Sequence, residues 1–149
     1  MKQSFAPNSP FNLVVHEDFE RDLDELEDLS EGHADLAADI AVYLDELREQ
    51  PELLGCLLED RAVSKTGSSR SFNIRELIEA KKHRYNLWRI RILDDANTFG
   101  AYRIIYAYNS ADRTFYVLGL MQRADEYDPR LPKLRRILEC YNRLDLQRW

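Results

Sequence analysis

Between residues 87 and 121 the chain carries three apolar runs rich in β-branched and aromatic residues, separated by short polar turns. The first, LWRIRIL at 87–93, alternates at period two: Trp88, Ile90 and Ile92 point one way, Arg89 and Arg91 the other. AYRIIYAY at 101–108 and TFYVLGLM at 114–121 follow it. That composition suits a pleated surface. Residues 109–113 (NSADR) have the length and chemistry of a hairpin loop. The three runs therefore predict an antiparallel meander over 86–123.

Upstream the period changes. Residues 11–16 (FNLVVH) predict a short first strand. Phe19, Leu23, Leu26 and Leu29 then recur at helical steps, with Asp, Glu and Arg between them. Ser30-Glu31-Gly32 interrupts the pattern. A second helix is expected from about His33 to Gln50, with Leu36, Ile40, Tyr43, Leu44 and Leu47 as its stripe and Pro51 as its breaker. Together these make an acidic helical hairpin over 17–50. Leu53, Leu54, Leu57 and Leu58 fit a helical turn or a packing segment, and 65–70 (KTGSSR) reads as a loop. Residues 72–78 fit a short strand or turn leading into a polar stretch. Leu134, Ile137, Leu138, Tyr141 and Leu144 return to helical spacing, giving a C-terminal helix over 133–146. Residues 1–10, with Pro7 and Pro10, read as a loose tail. Helices first and consecutive strands later indicate an α+β domain spanning 1–149, with an N-terminal helical hairpin packed on an antiparallel sheet and a closing helix.

Composition excludes several classes. With 44% hydrophobic and 32% charged residues and only five Gly and five Pro, the chain is neither disordered throughout nor fibrous. No apolar run approaches the roughly 18 residues of a membrane-spanning helix. The first residues lack the apolar stretch of a secretory leader. Cys56 and Cys140 are too few for a disulfide scaffold and lack the close pairing of a zinc site. The expectation is a cytoplasmic protein with no membrane partner, no cofactor, no metal and no small-molecule ligand. The net charge of −6 hides an asymmetry: residues 1–60 hold three Lys/Arg against seventeen Asp/Glu, and residues 61–149 hold eighteen against ten. The front half is thus −14 and the back half +8, so two surfaces with different partners are expected.

The arginines of the meander are the candidate site. Arg89 and Arg91 share a face of the first run, Arg103 lies inside the second, and Arg123 follows the third. A charged side chain in an apolar segment costs free energy unless paired or solvated. One such arginine is ordinary on an open sheet face, its stem covering apolar surface. Four in one meander point to a polyanion, because a guanidinium offers planar, bidentate donors to phosphate. Tyr127, four residues after Arg123, is placed to stack on a base or to move a proton. Lys82 and Arg84, in the basic stretch 81–84, are further phosphate contacts. His16, His33 and His83 are scattered without metal-ligand spacing, and Cys56 and Cys140 read as packing residues.

The stretch 87–127 resembles the core of the RelE/ParE superfamily of type II toxin–antitoxin toxins. The pattern is a strand with two alternating basic residues (Arg89, Arg91), a Y-R-x-x-Y strand (Tyr102-Arg103-Ile104-Ile105-Tyr106), and a strand ending in Arg shortly before Tyr (Arg123, Tyr127). The match covers about 40 residues closely and the rest by element order. The resemblance implies a microbial-ribonuclease-like fold and a ribosome-dependent mRNA endonuclease of the RelE/HigB-like branch. It would act without metal, by attack of a 2′-OH on the adjacent phosphate, and be neutralised by a cognate antitoxin. Its expected partners are mRNA, the ribosome and that antitoxin. Arg103, Arg123, Tyr127 and Arg91 would be catalytic; Arg89, Arg84 and Lys82 would bind substrate. Arg103 and Arg123 would stabilise charge developing on the phosphorane. Two departures stand out. The first-strand pair is often Lys in the RelE branch and is Arg here, a poor general base, which leaves Tyr127 or Glu126 for that role. The chain is also acidic where such toxins are commonly basic. The alternatives are a ParE-like inhibitor of DNA gyrase and a non-catalytic binding protein of the same fold.

Overall fold

The computed structural model describes residues 11–58, 61–64, 71–93, 102–122 and 132–146. The chain is α+β. A six-stranded sheet runs in the order β1-β6-β5-β4-β3-β2. Its strands are β1 (Asn12–Val15), β2 (Arg61–Ser64), β3 (Ser71–Glu76), β4 (Leu87–Leu93), β5 (Tyr102–Asn109) and β6 (Thr114–Gln122). The helices are α1 (Glu17–Glu27), α2 (Glu31–Glu49), a short α3 (Ile78–Lys81) and α4 (Pro132–Arg143), with a 3-10 helix over Pro51–Leu58.

One expectation needs correction. The first strand expected at 11–16 is present as β1, ahead of the helical hairpin, but the sheet is mixed rather than purely antiparallel, because β1 pairs with β6 in parallel. The physical reason is the connection. The helices after β1 carry the chain across to β2 at the opposite edge of the sheet, and the antiparallel run from β2 to β6 then brings β6 back beside β1 in the same direction. All other pairings are antiparallel.

The helix starts are chemically set. His16 caps α1, its Nδ1 accepting the Asp18 N–H at 3.0 Å, and Glu17, Asp18 and Glu20 place negative charge on the first turn. Ser30 caps α2, its Oγ accepting the His33 N–H at 3.1 Å. This cap starts α2 at Glu31, two residues before the expected start at His33.

Period two sorts the sheet into two cores. On the hairpin side Trp88, Ile90, Ile104, Tyr106, Phe115 and Val117 pack in one cluster with Phe19, Leu36, Ile40 and Leu44. On the other side Ile105, Ala107 and Leu118 pack with Leu134, Ile137 and Tyr141 of α4. The register shifts between Ile105, opposite Gly119, and Tyr106, opposite Val117, so Leu118 is an extra residue in β6. Next to it, α4 comes so close that a Cβ on Gly119 would lie 2.7 Å from Ile137 Cδ1. Glycine is what this approach needs. Tyr102 and Tyr106 are core residues, and the Tyr106 hydroxyl donates to the Leu57 carbonyl, tying β5 to the 3-10 helix.

The inner face of α1 also departs from expectation. Phe19 and Leu26 are buried, but Leu29 is 62% exposed and Asp22 takes an inward position. α1, which follows β1 in the chain, packs against β6. There Asp22 Oδ2 accepts the Leu120 N–H at 3.0 Å, satisfying a buried donor beyond the last residue that β1 pairs.

Candidate nucleic-acid interface

The registers place the arginines. Arg91 sits directly opposite Arg103 across β4 and β5, and Asn73 opposite Arg91 across β3 and β4. The neighbouring row on the same face puts Arg75 opposite Arg89. Directly opposed residues have Cβ atoms about 5 Å apart, and residues two apart on one strand about 7 Å. Arg75, Arg89, Arg91 and Arg103 therefore form a contiguous step across three strands. They occupy the sheet face that α4 packs on, away from the acidic hairpin. Like charges directly opposite each other repel.

Exposure falls along the step. Arg75 is exposed, Arg89 and Arg91 are half-buried, and Arg103 is only 3% exposed. The Nε of Arg91 is buried with no hydrogen-bond partner among the described residues, a placement that costs free energy. The family resemblance implies that Arg103 contacts substrate. Its burial makes it instead a fixed positive charge beneath the surface, at a depth where water screens it less than a solvated one.

The remaining expected residues are less concentrated. Lys82 and Arg84 are exposed in the turn after α3, where Arg84 takes a left-handed φ of 69° and Tyr85 N–H returns to Ala80 O at 3.1 Å. That turn precedes β4, whose Arg89 lies two residues, about 7 Å of strand, beyond Leu87. Lys82 and Arg84 flank the step rather than join it. Arg123 and Tyr127 lie outside the described residues, as does Glu126. Gln122, the last described residue of β6, pairs with Tyr102 next to Arg103.

Arg75 is an addition that the sequence reading missed. Its signal is the alternation in SFNIRE, where Ile74 faces the hairpin core and Asn73 and Arg75 the opposite side. Six residues, four of them polar, carry that pattern too weakly to stand beside the meander.

A second charged group holds α4 in place. Asp22 accepts from Lys133 Nζ at 2.8 Å and from both Nη atoms of Arg136, Nη1 at 2.9 Å. Burial alone would raise the Asp22 pKa. The hydrogen bonds from Arg136, Leu120 N–H and Lys133 outweigh it and hold the carboxyl below the usual carboxylate range. Arg136 is correspondingly raised by its bond to Asp22. Beside this clamp a cleft of about 300 Å³ opens between α1, β6 and Lys133, floored by Leu26, Tyr102, Leu120 and Met121.

At the other end of α1, His16, Asp18 and Cys140 meet, with one donor atom of each within 4.8 Å of the others. Burial pushes the Cys140 thiol up, which makes it a weak nucleophile. Cys140 is far from the other two in sequence, so no spacing motif announces the group.

No family model and no curated protein matches the chain. Among the described residues no helix is long and apolar enough to cross a membrane.

Proposed function

We propose that the chain binds single-stranded RNA on the arginine step and cleaves it, as an mRNA endonuclease toxin of the RelE/ParE type, with a cognate antitoxin as its second partner. The observation that carries this reading is the cross-strand pairing of Arg91 with Arg103, continued by Arg89 and Arg75, on a face the acidic hairpin does not share. A −14 front half repels RNA, so a strand is oriented onto the basic side. Arg75 and Arg89 hold flanking phosphates, and Arg91 reaches the scissile one. Arg103 lends its charge from beneath, favouring the extra negative charge of the phosphorane. In the reaction the 2′-oxygen attacks the adjacent phosphorus and the bond to the 5′-oxygen breaks. A cyclic phosphate and a 5′-hydroxyl result, with the 2′-proton leaving to a base and the departing 5′-oxygen taking up a proton from water. Tyr127 and Glu126 are the residues proposed near that proton, and Arg123 shares the phosphorane charge.

One observation favours a second reading, a binding protein that does not cut. A catalytic guanidinium must reach the reacting phosphate, and Arg103 is buried. The two separate in one experiment. The protein is incubated with translating ribosomes and, separately, with a single-stranded RNA oligomer at several salt concentrations. Endonuclease activity predicts cyclic-phosphate ends on mRNA, abolished in Arg91→Gln. Arg75→Gln weakens oligomer binding and lowers its log–log salt slope by about 0.7. Binding that follows these variants without cleavage supports the second reading. A salt slope unchanged in both variants removes the arginine step as the site. Gyrase inhibition without RNA cleavage would move the chain to the ParE-like branch.

A further inference from the structure

The geometry points to a zinc site formed by His16, Asp18 and Cys140, joining the start of α1 to α4. One donor atom from each residue lies within 4.8 Å of the other two, and His16 Nδ1 is 3.8 Å from Asp18 Oδ2. Zinc takes nitrogen, oxygen and sulfur ligands at about 2.0–2.3 Å in a tetrahedron, which sets neighbouring donors roughly 3.3–3.8 Å apart. The trio has to close by little more than about 1 Å to meet that geometry, within the reach of side-chain torsions. The donor set selects the metal: a thiolate favours zinc over the hard cations that prefer all-oxygen cages, and imidazole and carboxylate complete a mixed set. Three protein ligands leave one position for water.

Burial agrees with a ligand role and not with a nucleophile. Cys140 is 1% exposed and Asp18 6% exposed, so a substrate does not reach the thiol, while half-buried His16 leaves one side open to a small ion. Two arginines now attend Asp18, Arg21 at 3.3 Å and Arg143 at 3.6 Å. Their side chains are 59% and 68% exposed, so both return to water at little cost when a divalent ion takes their place. His16 faces a choice. A neutral imidazole has one nitrogen with a free lone pair, and here that nitrogen caps α1. Metal binding removes the cap, and the acidic first turn of α1 supplies negative charge beside the ion. The site lies apart from the arginine step and stands independently of the RNA reading.

The test uses the full chain stripped with a chelator and titrated with Co²⁺, then Zn²⁺. One equivalent of Co²⁺ should give the near-ultraviolet band of a thiolate–cobalt bond and the visible bands of a tetrahedral ion, both erased by zinc. Zinc at about 100 times its dissociation constant should raise the melting temperature by about 5–10 °C. His16→Asn keeps a good helix cap and removes the imidazole, so it should melt like the metal-free parent and bind at least about tenfold more weakly. Cys140→Ala should lose the thiolate band, and Cys56→Ala should keep it. The proposal is overturned if no thiolate band forms, if the band follows Cys56 instead, or if zinc stabilises His16→Asn as much as the parent.

Discussion

Replacing Asp22 by Asn probes what holds α4 against the sheet. The substitution keeps the shape and an oxygen that can still accept the Leu120 N–H, but it removes the charge that Arg136 and Lys133 share. Breaking a fully buried ion pair costs about 3–5 kcal/mol. The Arg136 and Lys133 side chains are 28% and 33% exposed, so water recovers part of that loss. The expected cost at neutral pH is about 2–3 kcal/mol, which lowers the melting temperature of a chain this size by about 5–10 °C. The pH dependence carries the sharper test. The Asp22 carboxyl is held below its usual 3.8 in the folded chain, so its contribution is complete above the unfolded value and disappears as pH falls through the folded one. Urea unfolding of parent and variant should show the full gap at pH 7 and pH 5, and a closing gap below about pH 4. Arg136→Met should cost much less in the Asp22→Asn background than in the parent, because the two act as one unit. A gap under about 0.5 kcal/mol at pH 7, or one that persists unchanged to about pH 2, would refute the clamp.

Two further substitutions test the packing beside the site. Gly119→Ala forces Ile137 away from the bulge and should cost about 1–3 kcal/mol by urea unfolding, and adding Ile137→Val to it should recover part of the loss. Tyr106→Phe removes the bond to Leu57 O inside the hairpin core and should cost about 1–2 kcal/mol while leaving RNA binding unchanged, since Tyr106 faces away from the arginines; a loss of binding would mean the two faces are coupled.

Local pattern makes much of this architecture legible. The alternation at 87–93 is strong because each apolar residue is large, and it assigns Arg89 and Arg91 to one face without any structure. The caps at His16 and Ser30 are harder, since a histidine cap is uncommon and Gly32 looks like a break. Asp22 escapes because an inward carboxylate has no hydropathy signal; only the Leu120 N–H and two cations from α4 explain its position, and they are distant in sequence. Arg75 escapes for the opposite reason: its strand is short and polar. The depth of Arg103 is also out of reach. Register tells which face a side chain occupies, and burial depends on what packs beyond it.

The pairing of β1 with β6 has a consequence for how the chain reaches this state. Asn12–Val15 meets no partner until Thr114–Val117 exists, with nearly the whole domain between them. Contacts of such long sequence separation form slowly, because loop closure precedes any gain. The β4–β6 hairpins can assemble early, and the two N-terminal helices then settle onto their apolar floor. The opening segment is therefore the natural last piece to dock, and until it does the outer rim of β6 offers unpaired backbone groups to any neighbouring chain.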